Sequence, residues 1–123
     1  MRYYIRTMSL TINTPSVFKL PAVVQRYFAA ANRFHARQAA ECFTTRATVH
    51  DEDRDYKGRD GILAWVTETI AKYQPTFTLL RASVEGARVK LAVAVAGRFP
   101  GSPVTLGYEF LLRGKKISTL TIV

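Results

Sequence analysis

Hydrophobic residues recur at helical spacing along the first half of the chain and at strand spacing along the second. Val24, Tyr27, Phe28 and Ala31 fall three or four apart, on one face of a helix. That helix opens at Pro21, a good first-turn residue, and is predicted to run to about position 34. A short helix over 36–43 follows, with Ala39, Ala40 and Phe43 inward. Over 47–51 the period changes to two, and Ala47, Val49 and Asp51 share one face of a short strand. Residues 52–59 are polar, include Gly58 and read as a loop. Asp60 suits a helix N-terminus, whose dipole favours an acid. Ile62, Trp65, Val66, Thr69, Ile70 and Tyr73 then make an amphipathic stripe that Pro75 ends.

From there β-branched and aromatic residues dominate. The segments 77–84, 88–98, 104–113 and 116–123 read as strands, separated by turn signals at Glu85-Gly86, at 100–103 and at Arg113-Gly114. Val89, Leu91, Val93 and Val95 alternate with Lys90, Ala92, Ala94 and Ala96, and Leu106, Tyr108, Phe110 and Leu112 form a second alternating set. Such strands pair as an antiparallel meander. Three helices, one early strand and a later meander imply an α+β domain. A strongly bent sheet would wrap the helices and leave a cavity at its open end.

The 123 residues and 48% hydrophobic content supply one core and one domain. No apolar run reaches the ~18 residues of a membrane span. The N-terminus is a poor signal peptide, and Met8 offers a second start. Residues 1–14 are expected to form a flexible tail and 15–123 the folded domain. Cys42 is the only cysteine, so no intrachain disulfide is available and a cytoplasmic setting is expected. The net charge of +9 invites nucleic acid, but the Lys and Arg are dispersed and no RNA-binding or zinc-finger motif occurs. A solvated basic surface is the plainer reading. Two histidines and one cysteine at unrelated spacing offer no metal-ligand set, and no phosphate-binding glycine loop or nucleophile elbow is present. No metal or other cofactor is expected.

One stretch is more specific. The run Ala22-Val23-Val24-Gln25-Arg26-Tyr27, with Ala30, Asn32 and Phe43, closely resembles the first helix and following segment of bacterial ketosteroid isomerases. Ala47-Thr48-Val49-His50-Asp51 resembles their strand that ends in the catalytic aspartate. Gly58 and Ile62 fall where that family has its loop glycine and next helix, so the resemblance covers about 22–65. The segment 99–103, with Tyr108, Phe110 and Lys116-Ile117, looks more like SnoaL-like proteins of the same nuclear-transport-factor-type superfamily. The resemblance implies three helices packed in a bent, mostly antiparallel sheet, the cone-shaped, cystatin-like α+β barrel. It also implies roles. Tyr27 falls on the tyrosine that donates to the dienolate oxygen and Asp51 on the general base, 24 residues apart as in the isomerases. Their third member, a protonated aspartate, has no counterpart, because Leu106 stands at or next to its position.

The residues support the pair independently. An inward aspartate is partly desolvated, so its pKa rises toward that of a useful base, and a tyrosine hydroxyl nearby could polarise a carbonyl. Plainer readings stand beside these. Asp51 could be a strand-end acid paired with Arg54 or Arg59, and Tyr27 an ordinary core tyrosine. His50 points away from Asp51 and is an auxiliary proton carrier or a solvent-side residue. His35 reads as surface. Phe28, Trp65, Phe99, Tyr108 and Phe110 are expected in the core or in a substrate-binding wall; Tyr73 is a further core aromatic. Two functions follow: a cofactor-independent isomerase or cyclase acting on a hydrophobic carbonyl compound, or a non-catalytic dimeric binding or interaction module. In both, an Ala-rich sheet face and surplus apolar positions predict a homodimer.

Overall fold

The protein is described by a computed structural model over residues 20–123; the expected tail over 1–14 lies outside the described residues. Helix α1 spans Ala22–Asn32 and buries Val24, Tyr27, Phe28 and Ala31 along one stripe, as the helical spacing requires. It stops two residues before the predicted end. Phe34 takes a left-handed conformation (φ 61°), and the His35 N–H reaches back to the Ala30 carbonyl. A left-handed residue there is normally glycine or asparagine, which is why the stop was silent in the sequence. The Asn32 side chain also bonds both backbone groups of Phe77, tying the helix end to the sheet.

Helix α2 is only Ala36–Ala40. Phe43, expected to close it, instead opens strand β1, Phe43–Asp51, and the Ile117 N–H bonds the Cys42 carbonyl at that junction. The predicted loop over 52–59 contains a strand, β2, Arg54–Lys57. It pairs antiparallel with β1 through a two-residue turn, Glu52–Asp53, at φ 53° and 62°. Such left-handed pairs usually carry Asn-Gly or Asp-Gly, so two acids hid the hairpin. Helix α3, Gly58–Tyr73, ends in a left-handed Gln74 before Pro75.

Strands β3 (Thr76–Glu85), β4 (Arg88–Ala96), β5 (Val104–Arg113) and β6 (Lys116–Ile122) form the expected antiparallel meander. Strand β1 joins β6 in parallel. The result is one six-stranded sheet, ordered β2-β1-β6-β5-β4-β3, curled but not closed on itself. Register shifts in β1/β6, β3/β4 and β5/β6 mark where it bends, since an extra residue in one strand raises the local twist.

The helices fill the concave face. Phe43, Phe110, Ile62, Ile117 and Leu120 are fully buried there, as are Val89 and Val93, while Lys90 faces solvent. Each such side chain contributes about 1.5–3 kcal/mol. An exposed pair such as Arg88–Glu109 contributes about 0–1 kcal/mol, so burial decides the fold. No helix among the described residues is long and apolar enough to cross a membrane.

Candidate functional site

The core does not close completely. A cavity of about 260 Å³ remains between α1, α3 and the concave sheet. Tyr27 and Ala31 of α1 form one wall, and Trp65, Thr69, Ile70 and Tyr73 of α3 another. Phe77, Val95, Leu106, Tyr108 and Ile122 come from the sheet, with Phe99 from the β4–β5 connection. The lining is apolar apart from a few groups, and Asp51 and Glu52 supply the carboxylates.

Asp51 reaches the cavity because β1 alternates. Ala47 and Val49 are fully buried on the inner face, and Asp51 is the next inward position, half-buried at the strand end. The Trp65 indole N–H donates to its carboxylate at 3.1 Å. Burial pushes the Asp51 pKa above the ordinary range. The Trp65 hydrogen bond pulls it back, the Glu52 charge raises it again and the Glu52 backbone bond lowers it. Neither arginine of the surface reading holds it. Arg59 Nε donates to the Phe43 carbonyl at 2.9 Å, and the Arg54 guanidinium lies 5.7 Å from the Tyr56 ring centroid.

Tyr27 is buried among aromatics, edge-on to Phe28, Phe43 and Phe110 at centroid distances of 5.1, 5.7 and 5.9 Å. Burial, then the Asp51 charge, then Cys42 drive its phenol far above the ordinary range. It stays neutral at any working pH and can only donate or accept a hydrogen bond. Cys42 itself is buried, its thiol is pushed up mainly by desolvation, and it contacts the Gln38 carbonyl.

The fold therefore brings Tyr27, Asp51, Trp65, Phe99 and Tyr108 around one space. Phe28 and Phe110 do not line it. Both are buried behind the wall, Phe28 against Phe77 and Tyr108, Phe110 against Tyr27. His50 faces outward and pairs with Asp55 across the β1–β2 hairpin, so it takes no part in the cavity. Tyr73 lines the wall, edge-on to Phe99 at 5.8 Å. Thr69 and Ile70 lie on the same helical stripe as Trp65, a signal that could have assigned them to the wall beforehand. Phe77 and Glu52 carried no comparable signal. No group of three or more metal-ligating side chains occurs among the described residues. Chemically, the site offers a partly desolvated base, a neutral phenol and apolar walls. Groups of these kinds are the ones that general-base and hydrogen-bond catalysis beside a carbonyl use.

Comparison with known proteins agrees with this architecture. A family model described as SnoaL-like domain matches residues 24–117. A candidate polyketide cyclase from Sinorhizobium meliloti is 33% identical, with a TM-score of 0.83 over 86% of this chain and 97% of that one. A Catenulispora acidiphila protein with a ketosteroid isomerase-like fold, solved with trimethylamine, is 20% identical. Its TM-score is 0.76, over 85% of this chain and 86% of that one. The epoxide hydrolase/cyclase-like enzyme SalBIII, of pyran ring formation in the polyether salinomycin, is 20% identical with a TM-score of 0.73. That alignment covers 82% of this chain and 86% of SalBIII. Among curated proteins, none matches the sequence.

Proposed function

The chain belongs to the SnoaL-like domain family, and on that premise we propose that it acts on a small hydrophobic carbonyl compound by cofactor-independent proton transfer, as an isomerase or cyclase. Asp51 removes a proton from the carbon beside the carbonyl, and Tyr27 donates a hydrogen bond to the carbonyl oxygen as charge develops there. The observation that carries the reading is a carboxylate set in an apolar cavity, oriented by an indole N–H and raised by desolvation. A surface acid would have none of these properties. The cyclase named for the Sinorhizobium meliloti relative, at 33% identity, supports the same class of chemistry. A cytoplasmic setting fits the lone cysteine.

The test is exchange of α-protons of 2-tetralone, a small bicyclic ketone, for deuterium, followed by proton NMR. The wild-type protein should accelerate it, and Asp51→Asn should reduce that acceleration by roughly 10²–10⁴-fold. A second reading, a non-catalytic dimeric binding or interaction module, is favoured by a different observation. The sheet exposes Leu80, Val84 and Leu111, none of which lines the cavity. Under that reading tetralone binds without exchange. The homodimer belongs to both readings, and light scattering at micromolar concentration would show twice the chain mass.

A further inference from the structure

The cavity contains a second buried phenol. Tyr108 lies on the inner face of β5, is 5% exposed and lines the same space as Tyr27 and Asp51. Its ring is held by Phe28, Phe77 and Phe110 at centroid distances of 5.5, 6.3 and 6.1 Å. Among the described residues, neither the Tyr108 hydroxyl nor the Tyr27 hydroxyl has a hydrogen-bond partner, whereas the Trp65 N–H is matched to Asp51. Two unmatched hydroxyls in one apolar space are costly, because buried polar groups are normally satisfied. They are explained if something else completes them. A carbonyl oxygen has two acceptor lone pairs, and two phenols are the number of donors it can use.

We propose that Tyr108 is a second hydrogen-bond donor to the substrate oxygen, so that the site takes an enolisable carbonyl compound whose oxygen sits between two phenols. This rests on the proton-transfer reading above. In the step, the Asp51 carboxylate takes the α-proton. The C–H electron pair becomes the new C–C double bond, and the carbonyl π pair moves to oxygen, which Tyr27 and Tyr108 stabilise without giving up their protons. Asp51 then returns its proton to carbon, so nothing is consumed. Burial, with the Asp51 charge adding to it, keeps the Tyr108 phenol protonated.

The probe is 4-nitrophenolate, whose charged oxygen mimics the enolate, with neutral 4-nitrotoluene as the shape control. Asp51→Asn is the parent, since it presents the uncharged form of the base. Tyr108→Phe and Tyr27→Phe should each weaken phenolate binding about tenfold or more, the loss of one hydrogen bond to a charged group. Both should leave 4-nitrotoluene binding within about twofold, because the rings stay packed. The absorbance of the bound phenolate should also need a higher pH to develop in either variant. Tyr108→Phe binding phenolate like its parent, with Tyr27→Phe weakened, would overturn the role of Tyr108 and leave the base-and-donor reading standing. A parent that binds no phenolate, or neither variant being weakened, would overturn both. Proton NMR of the parent complex checks the same point without altering a tyrosine: two far-downfield hydroxyl resonances are expected, and a single one contradicts the proposal.

Discussion

Replacing Asp51 by asparagine should stabilise the protein at neutral pH while removing its base. An unfolded aspartate titrates near 3.9, whereas desolvation holds folded Asp51 higher. Below about pH 4 both states keep the proton, and the stability Asp51 contributes is fully present. As pH rises through the folded pKa, the native state must ionise in a partly dry site and that contribution is lost. Asparagine never ionises and loses nothing. Each unit of upward shift is worth about 1.4 kcal/mol, but Asp51 is half-buried, so solvent screens part of it. Asparagine keeps a carbonyl for the Trp65 N–H, although a neutral acceptor weakens that bond by about 1 kcal/mol. Desolvation is the largest of these effects, so the balance favours asparagine at neutral pH, and each 1 kcal/mol of it raises the melting temperature by roughly 4 °C for a chain of this size. Thermal melts by circular dichroism from about pH 3 to 8 measure it directly. Asp51→Asn should melt higher at neutral pH and lose the advantage near pH 3. A variant that melts lower at neutral pH, or a gain that persists unchanged in acid, would refute the desolvation argument.

Three further variants probe the frame around the site. Glu52→Asn with Asp53→Gly relieves two left-handed residues, each costing about 1–2 kcal/mol, and should raise the melting temperature; it also removes the charge beside Asp51, lowering that pKa. Asn32→Ala deletes two bonds to the Phe77 backbone, at 3.1 and 2.7 Å, and should cost about 1–2 kcal/mol in urea unfolding. Gly97→Ala places a methyl 2.7 Å from the Tyr73 carbonyl oxygen, where α3 meets the end of β4. It should cost about 1–3 kcal/mol and, by displacing the Tyr73–Phe99 wall, weaken tetralone binding in a fluorescence titration.

The elements were legible where burial alone decides them. The stripe of α1, the stripe of α3 and the alternation of β4 and β5 all appear in the fold because each has one face against the core. Misreadings cluster where backbone conformation was adopted by an unusual residue. Phe34 caps α1 without glycine, and Glu52–Asp53 turns the β1–β2 hairpin without Asn or Gly, so one helix was drawn too long and one strand was missed. Phe43, as an inward aromatic, fits the period of either α2 or β1, and pairing of β1 with β6 decides the matter. The site shows the same limit. Inward direction could be read for Tyr27, Asp51 and Trp65, but depth could not. Phe28 and Phe110 point inward yet lie behind the wall, while Phe77 forms part of it, because sheet curvature separates core from cavity. The resemblance to isomerases brought out the Tyr27–Asp51 pair. The outward turn of His50 follows from strand alternation.

The central claim is that Asp51 is a base working inside the cavity, and the pH dependence of α-proton exchange on 2-tetralone tests it most directly. With wild-type protein, the rate should climb with pH through a single transition lying above the ordinary aspartate range, in the direction that burial shifts this carboxyl. In Glu52→Asn the transition should move to lower pH, and in Asp51→Asn it should vanish together with the activity. A transition that survives in Asp51→Asn, or a wild-type rate that is flat across the range, would contradict the account.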